Sequence, residues 1–316
     1  MSKDIYPPHA DELEISIFGP GYGEALAIHL GNNQWLLVDS CLNPQSKTSA
    51  SLHYLQNLNV DVKDAVKLIV ATHWHDDHIR GLGQLVDVCS SARSVLSSAF
   101  SRREFKVLLD HYSQEPTIRS NGLTEMLKTL SALDARDRAG TTIVRPKLAI
   151  ADRRIYQSTI TIESEQKNVA VSSLSPSDAA VVQALTSFSN LIPKLKSPKR
   201  RIIAPQPNHS SVVLWCEIGE HRLLLGADLE CTSDTEAGWI AIVNNSTVLS
   251  ANSDRAKVFK IPHHGSQNGH EASVWTNILL SAPFALRAAR GNRYPACGRL
   301  LARGTCVAGR RGARWS

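Results

Sequence analysis

The residues Thr72-His73-Trp74-His75-Asp76-Asp77-His78 gather three imidazoles and two carboxylates in the spacing H-x-H-x-D-H. They follow the apolar run Val66 to Ala71, which reads as a short buried strand. In a loop leaving such a strand, alternate side chains share a side, so His73 and His75 point together. Asp77 and His78 then project from the start of the next helix. Imidazoles and carboxylates at this spacing suit two neighbouring borderline metal ions. Burying so many polar groups at a strand end is costly unless they coordinate or pair. The plain alternative is a polar loop with helix-capping aspartates.

Other segments carry chemistry of the same kind. Asp228 ends the apolar run Leu223-Leu224-Leu225-Gly226-Ala227-Asp228. Pro262-His263-His264-Gly265-Ser266 follows the apolar run Lys257 to Ile261. Asn208-His209-Ser210-Ser211 leads into Val212-Val213-Leu214, and Asp39 ends Leu36-Leu37-Val38. Alone, a strand-terminal Asp is a turn or cap residue and a loop His is an exposed one. Lys194, Lys196, Lys199, Arg200 and Arg201 cluster just before Asn208. Lys199, Arg200 and Arg201 are candidate phosphate contacts, or else part of a solvated loop. Trp74 either stacks on a base or ring of a substrate or walls the pocket.

These segments together resemble the metallo-β-lactamase-fold hydrolases, whose signature is H-x-H-x-D-H after a core strand. The H-H-G-S turn at 263–266, the Asn208 segment and the Gly-rich opening at Phe18 to Ala25 are similar to the hydrolase domain of the ComEC/Rec2 DNA-uptake proteins and its stand-alone relatives. Glu24 stands where those relatives carry Asp, and Ser40-Cys41 where they carry two glycines. The resemblance covers residues 12–285. It implies an α/β fold, a four-layer αββα sandwich with a helical insertion. It also implies two divalent ions, zinc by default and otherwise manganese or iron. His73, His75 and His209 would hold the first ion. Asp77, His78 and one of His263 and His264 would hold the second, and Asp228 would bridge them. The other of His263 and His264 would meet the substrate as an acid, and which is which stays open. Asp39 would orient a metal-ligating histidine from behind, and Asn208 is a further candidate contact. The implied activity is hydrolysis by a metal-bridging hydroxide, with Asp77, His263 and His264 as the catalytic residues. The H-H-G-S turn favours a phosphodiester, in DNA, RNA or a smaller phosphorylated molecule. The alternatives are an ester, lactone or thioester hydrolase, or a non-catalytic metal-binding module of the same fold.

The elements that must position these residues alternate along the chain. Strand patterns cover Glu14–Phe18, Glu24–Leu30, Gln34–Asp39, Val66–Thr72, Val169–Leu174, Ser211–Ile218, His221–Leu225 and Lys257–Ile261. A turn at Gly19-Pro20-Gly21-Tyr22-Gly23 joins the first two. Helical spacing marks Ser49–Leu58, Ile79–Val88, Phe105–Tyr112, Leu123–Leu133, Ser177–Leu191, Glu236–Val243 and Glu271–Leu280. Strands and helices in both halves predict helices packed outside sheets.

Composition bounds the rest. The 316 residues are 42% hydrophobic and 20% charged, which excludes a disordered or collagen-like chain. No segment is apolar for long enough to span a bilayer, and no signal core opens the chain, so a cytoplasmic location is expected. Six cysteines without a C-x-x-C pair read as reduced thiols, not ligands. The net charge is +6, but residues 287–316 contain eight arginines and no Asp, Glu or Lys. Without them the body carries −2, so the charge does not argue that the body binds nucleic acid. We therefore expect a hydrolase domain over 1–286, with its insertion at about 100–140, and an Arg-rich tail over 287–316. That tail is either a nucleic-acid-binding arm or the product of an altered reading frame.

Overall fold

The structure is a computed structural model that describes residues 6–19, 23–101, 103–113, 121–140, 145–162, 164–192, 207–252, 254–288, 297–303 and 306–308. An antiparallel meander opens the chain: β1 (Glu12–Phe18), β2 (Ala25–His29) and β3 (Trp35–Val38). Helices α1 (Ala50–Asn57) and α2 (Val62–Ala65) cross to β4 (Val66–Ala71), parallel to β3. Then come α3 (Asp76–Ile79), α4 (Leu82–Val88), β5 (Arg93–Ser97), α5 (Arg103–Ser113), α6 (Asn121–Arg138) and β6 (Lys147–Ala149). The second half runs β7 (Arg153–Ile162), β8 (Glu165–Ser173), α7 (Asp178–Leu191), β9 (Leu214–Ile218) and β10 (His221–Leu225). It continues through α8 (Gly238–Asn245), α9 (Thr247–Ser250), β11 (Ala256–Lys260), α10 (Ala272–Asn277) and β12 (Leu279–Leu286). Two strands follow, β13 (Cys297–Arg303) and β14 (Cys306–Ala308).

Among the described residues the strands form two sheets, ordered β14-β13-β1-β2-β3-β4-β5-β6 and β12-β11-β10-β9-β8-β7. Side-chain alternation decides what each face buries. On β4, Leu68 and Val70 face the other sheet, while Ile69 and Ala71 face helices. On β10, Leu223 and Leu225 face inward, and Leu224 lies under α8 with Trp239 and Ile242. Strands apolar on both faces need cover on both, and α1, α4, α5 and α6 supply it for the first sheet. Four layers result, as expected: helices, sheet, sheet, helices.

Several elements differ from the sequence expectation. Of Ile79–Val88 only Leu82–Val88 forms one helix, because Gly81 at φ +87, a conformation that suits glycine, separates it from α3, which ends at Ile79. Glu271–Leu280 is helical only to Asn277, after which β12 runs parallel to β11. Strand β12 is an edge strand, largely exposed and carrying Pro283, so it lacks the alternating pattern that marks a half-buried strand. Residues 297–303, which the sequence reading assigns to the tail, lie antiparallel along β1, with Ile15 opposite Leu300. The backbone groups on the outer edge of β1 supply the physical reason, since an open edge pairs with any strand that reaches it. The turn residues Pro20, Gly21 and Tyr22 and the basic cluster with Lys199, Arg200 and Arg201 lie outside the described residues. No helix of the described residues is long and apolar enough to cross a membrane.

Candidate metal centre

The candidate ligands meet where strands of both sheets end. The end of β3 sets the frame. Asp39, at φ +58, accepts from the Thr72 backbone N–H at 2.7 Å and from the Thr72 hydroxyl at 2.7 Å. Its Oδ2 also lies 2.8 Å from His78 Nδ1. The Thr72 hydroxyl proton is thereby committed to Asp39, so Thr72 Oγ1 accepts from His73 Nδ1, 2.9 Å away. Both imidazoles thus turn Nδ1 outward, to Thr72 and to Asp39, and present Nε2 to the centre. His73 Nε2 is fully buried and has no hydrogen-bond partner, which fits a nitrogen that serves as a metal ligand.

The second sheet brings Asp228 and His264. Gly226 donates to the Lys260 carbonyl at 3.0 Å, and a Cβ at Gly226 would meet that oxygen at 2.9 Å. Only a glycine lets the ends of β10 and β11 approach so closely, which carries Asp228 up to the imidazoles. Asp228 Oδ2 lies 3.3 Å from His78 Nε2 and 3.8 Å from His264 Nε2. His264 Nε2 also lies 3.6 Å from Asp77 Oδ2.

The turn after β11 separates the paired histidines. His263, His264 and Gly265 have φ of +46, +53 and +79. Two consecutive non-glycine residues in the left-handed region cost about 1–2 kcal/mol each. The result is that the two rings leave the chain in different directions. His264 turns in toward Asp77 and Asp228. His263 Nδ1 turns to Glu230 at 3.1 Å and Asn268 at 3.0 Å. Glu230 also accepts from Asn208 at 2.7 Å and lies 3.7 Å from His209 Nε2.

Charge fits the geometry. Burial would disfavour a charged His78, yet the Asp228 carboxylate, and then Asp39, lift its pKa well above the ordinary value. Burial and the nearby His78 push His73 well below it. Burial opposes ionisation of Asp77 and Asp228, but neighbouring imidazoles hold both below the usual carboxylate range.

Donor atoms within 4.8 Å of one another form three groups among the described residues: Asp39/His73/His78, Asp77/His78/His264 and Glu24/His78/Asp228. His75, ring centroid 5.0 Å from that of His73, is beside these groups but not in them. His209 and His263 are at Glu230 instead. Trp74 corrects an expectation. It is buried, and its ring packs against Phe105 and Phe188 from α5 and α7, with centroids at 5.8 and 6.0 Å. It is a core residue that fastens the helical layer, not a surface for stacking a substrate. Lys260 and Glu230 also belong to the site, though neither is among the candidates the sequence singles out. A lysine inside an apolar strand is the one signal that points to a buried charge, and Glu230 offers only its place two residues after Asp228.

Residues 18–92 match the family model of the Metallo-beta-lactamase superfamily. Among solved structures, the metallo-beta-lactamase fold protein YhfI from Bacillus subtilis is 13% identical, with 87% of this chain and 77% of that one covered, at a TM-score of 0.36. A metallo-beta-lactamase from Cronobacter sakazakii is 9% identical, with 78% and 75% covered, at a TM-score of 0.39. A putative metallo-beta-lactamase from Thermotoga maritima is 10% identical, with 69% and 79% covered, at a TM-score of 0.37. No curated protein matches the chain. The two mixed sheets with helices outside both make the metallo-β-lactamase fold.

Proposed function

We propose that the chain is a metal-dependent hydrolase and that its substrate is a phosphodiester. One observation carries the first part. Imidazoles and carboxylates from the ends of β3, β4, β10 and β11 converge, and His73 Nε2 among them is buried without a partner. The donor set, nitrogen and oxygen without thiolate, fits two divalent ions of the zinc, manganese or iron type. When bound, such ions supply Lewis acidity and activate water near neutral pH.

The residues divide the remaining work. His73 and His75 would hold the first ion, with His209, which stands at Glu230, as the third ligand expected from the sequence. Asp77, His78 and His264 would hold the second, and Asp228, beside His78 and His264, would be shared. The contact of His264 Nε2 with Asp77 and Asp228 supports it as the ligand of the pair. His263, steadied at Nδ1 by Glu230 and Asn268, is left to donate a proton to the leaving group. Asp39 fixes the ring of His78. The phosphodiester rests on the similarity of the Pro262–Ser266 turn to the ComEC/Rec2 type. DNA, RNA or a smaller phosphorylated molecule would each present that bond.

The test is elemental analysis of the purified chain beside a His73→Ala variant, followed by turnover of bis(p-nitrophenyl) phosphate. About two ions per chain, fewer in the variant, with turnover that falls alongside, is the expected result. Metal without phosphodiester turnover, but with hydrolysis of an ester or lactone, would move the substrate class. A chain that takes up no divalent ion would sink the reading.

A further inference from the structure

Lys260, the last residue of β11, is fully buried against the carboxylates of the centre. Its ammonium donates to the Ala227 carbonyl at 2.7 Å, is ion-paired with Glu24, and lies 3.7 Å from Asp228 Oδ1. Glu24, just ahead of β2, is equally buried, and its other oxygen lies 3.3 Å from His264 Nδ1. Asp228 is therefore divided: Oδ1 faces an ammonium and Oδ2 faces imidazoles. A buried lysine is expensive unless its charge is matched, and here two carboxylates match it.

The position of that charge is informative. Glu24, His78 and Asp228 bring donor atoms within 4.8 Å of one another, the spacing at which such groups share a cation. The cation already present on the Glu24 side is the ammonium. Oxygen donors favour hard ions such as Mn²⁺, so this corner would take one if the ammonium were absent. We propose that Lys260 is a resident cation of the centre, filling a carboxylate position between Glu24 and Asp228 that a divalent ion takes when the lysine side chain is removed. The lysine thus limits how many ions the centre holds and keeps Glu24 out of their coordination. This rests on the metal-centre reading above but tests separately from it.

The experiment compares Mn²⁺ content per folded chain, by elemental analysis after gel filtration, in wild type, Lys260→Ala and Lys260→Ala/Glu24→Gln. The expected result is one more ion in Lys260→Ala than in wild type and a return to the wild-type count in the double variant. The gain is read against wild type, so it stands whether wild type holds two ions or fewer. Wild type without any ion fails the metal-centre reading. Equal counts in wild type and folded Lys260→Ala overturn only the lysine proposal. So does a Lys260→Ala chain that stays unfolded in Mn²⁺ while the double variant folds, because the lysine is then only a structural counter-charge. If neither alanine variant folds, Glu24→Gln decides. Lys260 then keeps the Ala227 carbonyl and Asp228 as partners, and its undivided pull on Asp228 should weaken Mn²⁺ binding relative to wild type; unchanged affinity overturns the proposal.

Discussion

His78 Nδ1 lies 2.8 Å from Asp39 Oδ2, and the same carboxylate takes both the N–H and the hydroxyl proton of Thr72. One aspartate at the end of β3 thus fixes two rings, His78 directly and His73 through Thr72. Its left-handed backbone, φ +58, turns the chain so that the carboxylate points back at β4. Partners of this kind commonly set ligand affinity ~10–100-fold. Asp39→Asn keeps the shape but lacks the charge, and should weaken metal binding by about that factor. Competition against a metal-sensitive dye would measure it; unchanged affinity would show that Asp39 serves only the backbone.

The two histidines of the β11 turn should part company on substitution. His264→Ala should lower the metal content, since its Nε2 faces Asp77 and Asp228. His263→Ala should keep the metal and lose roughly 10²–10⁴-fold in kcat, the usual worth of a positioned acid. Metal analysis alongside initial rates on one preparation distinguishes them. Equal metal loss in both would remove the separate roles.

The metal-free protein should be less stable in base than near neutrality. Burial works against a charged His264, but the Asp77 and Glu24 carboxylates raise its pKa to about 8 from 6.5. A raised folded-state pKa contributes stability fully present below about 6.5, lost as pH rises through about 8. His78, raised further, shifts in the same direction. Asp77 and Asp228, held low, lose their contribution only in acid. Urea midpoints of the chelator-treated chain should therefore fall from pH 7.5 to pH 9, a range in which the lowered His73 and His75 are neutral in both states. His264→Gln should flatten the step, and a slope unaffected by it would contradict the assignment.

Trp74→Ala should damage stability rather than substrate affinity. The indole is 3% exposed and wedged between Phe105 and Phe188. Losing a buried aromatic costs about 3–5 kcal/mol. Chemical denaturation would show the loss, and Km for any substrate should move little at a temperature where the variant stays folded. A large change in Km with full stability would return Trp74 to the binding surface.

How much of this the sequence showed depends on where the signal sits. The β4 strand and the histidine run after it are contiguous, so both were legible. Strand β10 was also legible, because Leu223 to Leu225 are apolar and Gly219-Glu220 marks a turn before them. Strand β7 was not, since Arg153, Arg154, Gln157 and Thr159 give it a polar face with no helical cover. The division of labour between His263 and His264 was invisible because adjacent residues differ only through backbone dihedrals, which no spacing rule supplies. The pairing of Glu24 with Lys260 joins residues far apart in sequence, and nothing local to either predicts it.

The register of β1 against β13 sets Ile15 beside Leu300. These residues lie far apart in the sequence. During synthesis the outer edge of β1 therefore waits, unpaired, until β13 has been made. Such distant pairing slows folding, and an exposed edge invites association with other nascent chains. Expression at lower temperature or with a holdase chaperone should raise the yield of monomer more than added salt does.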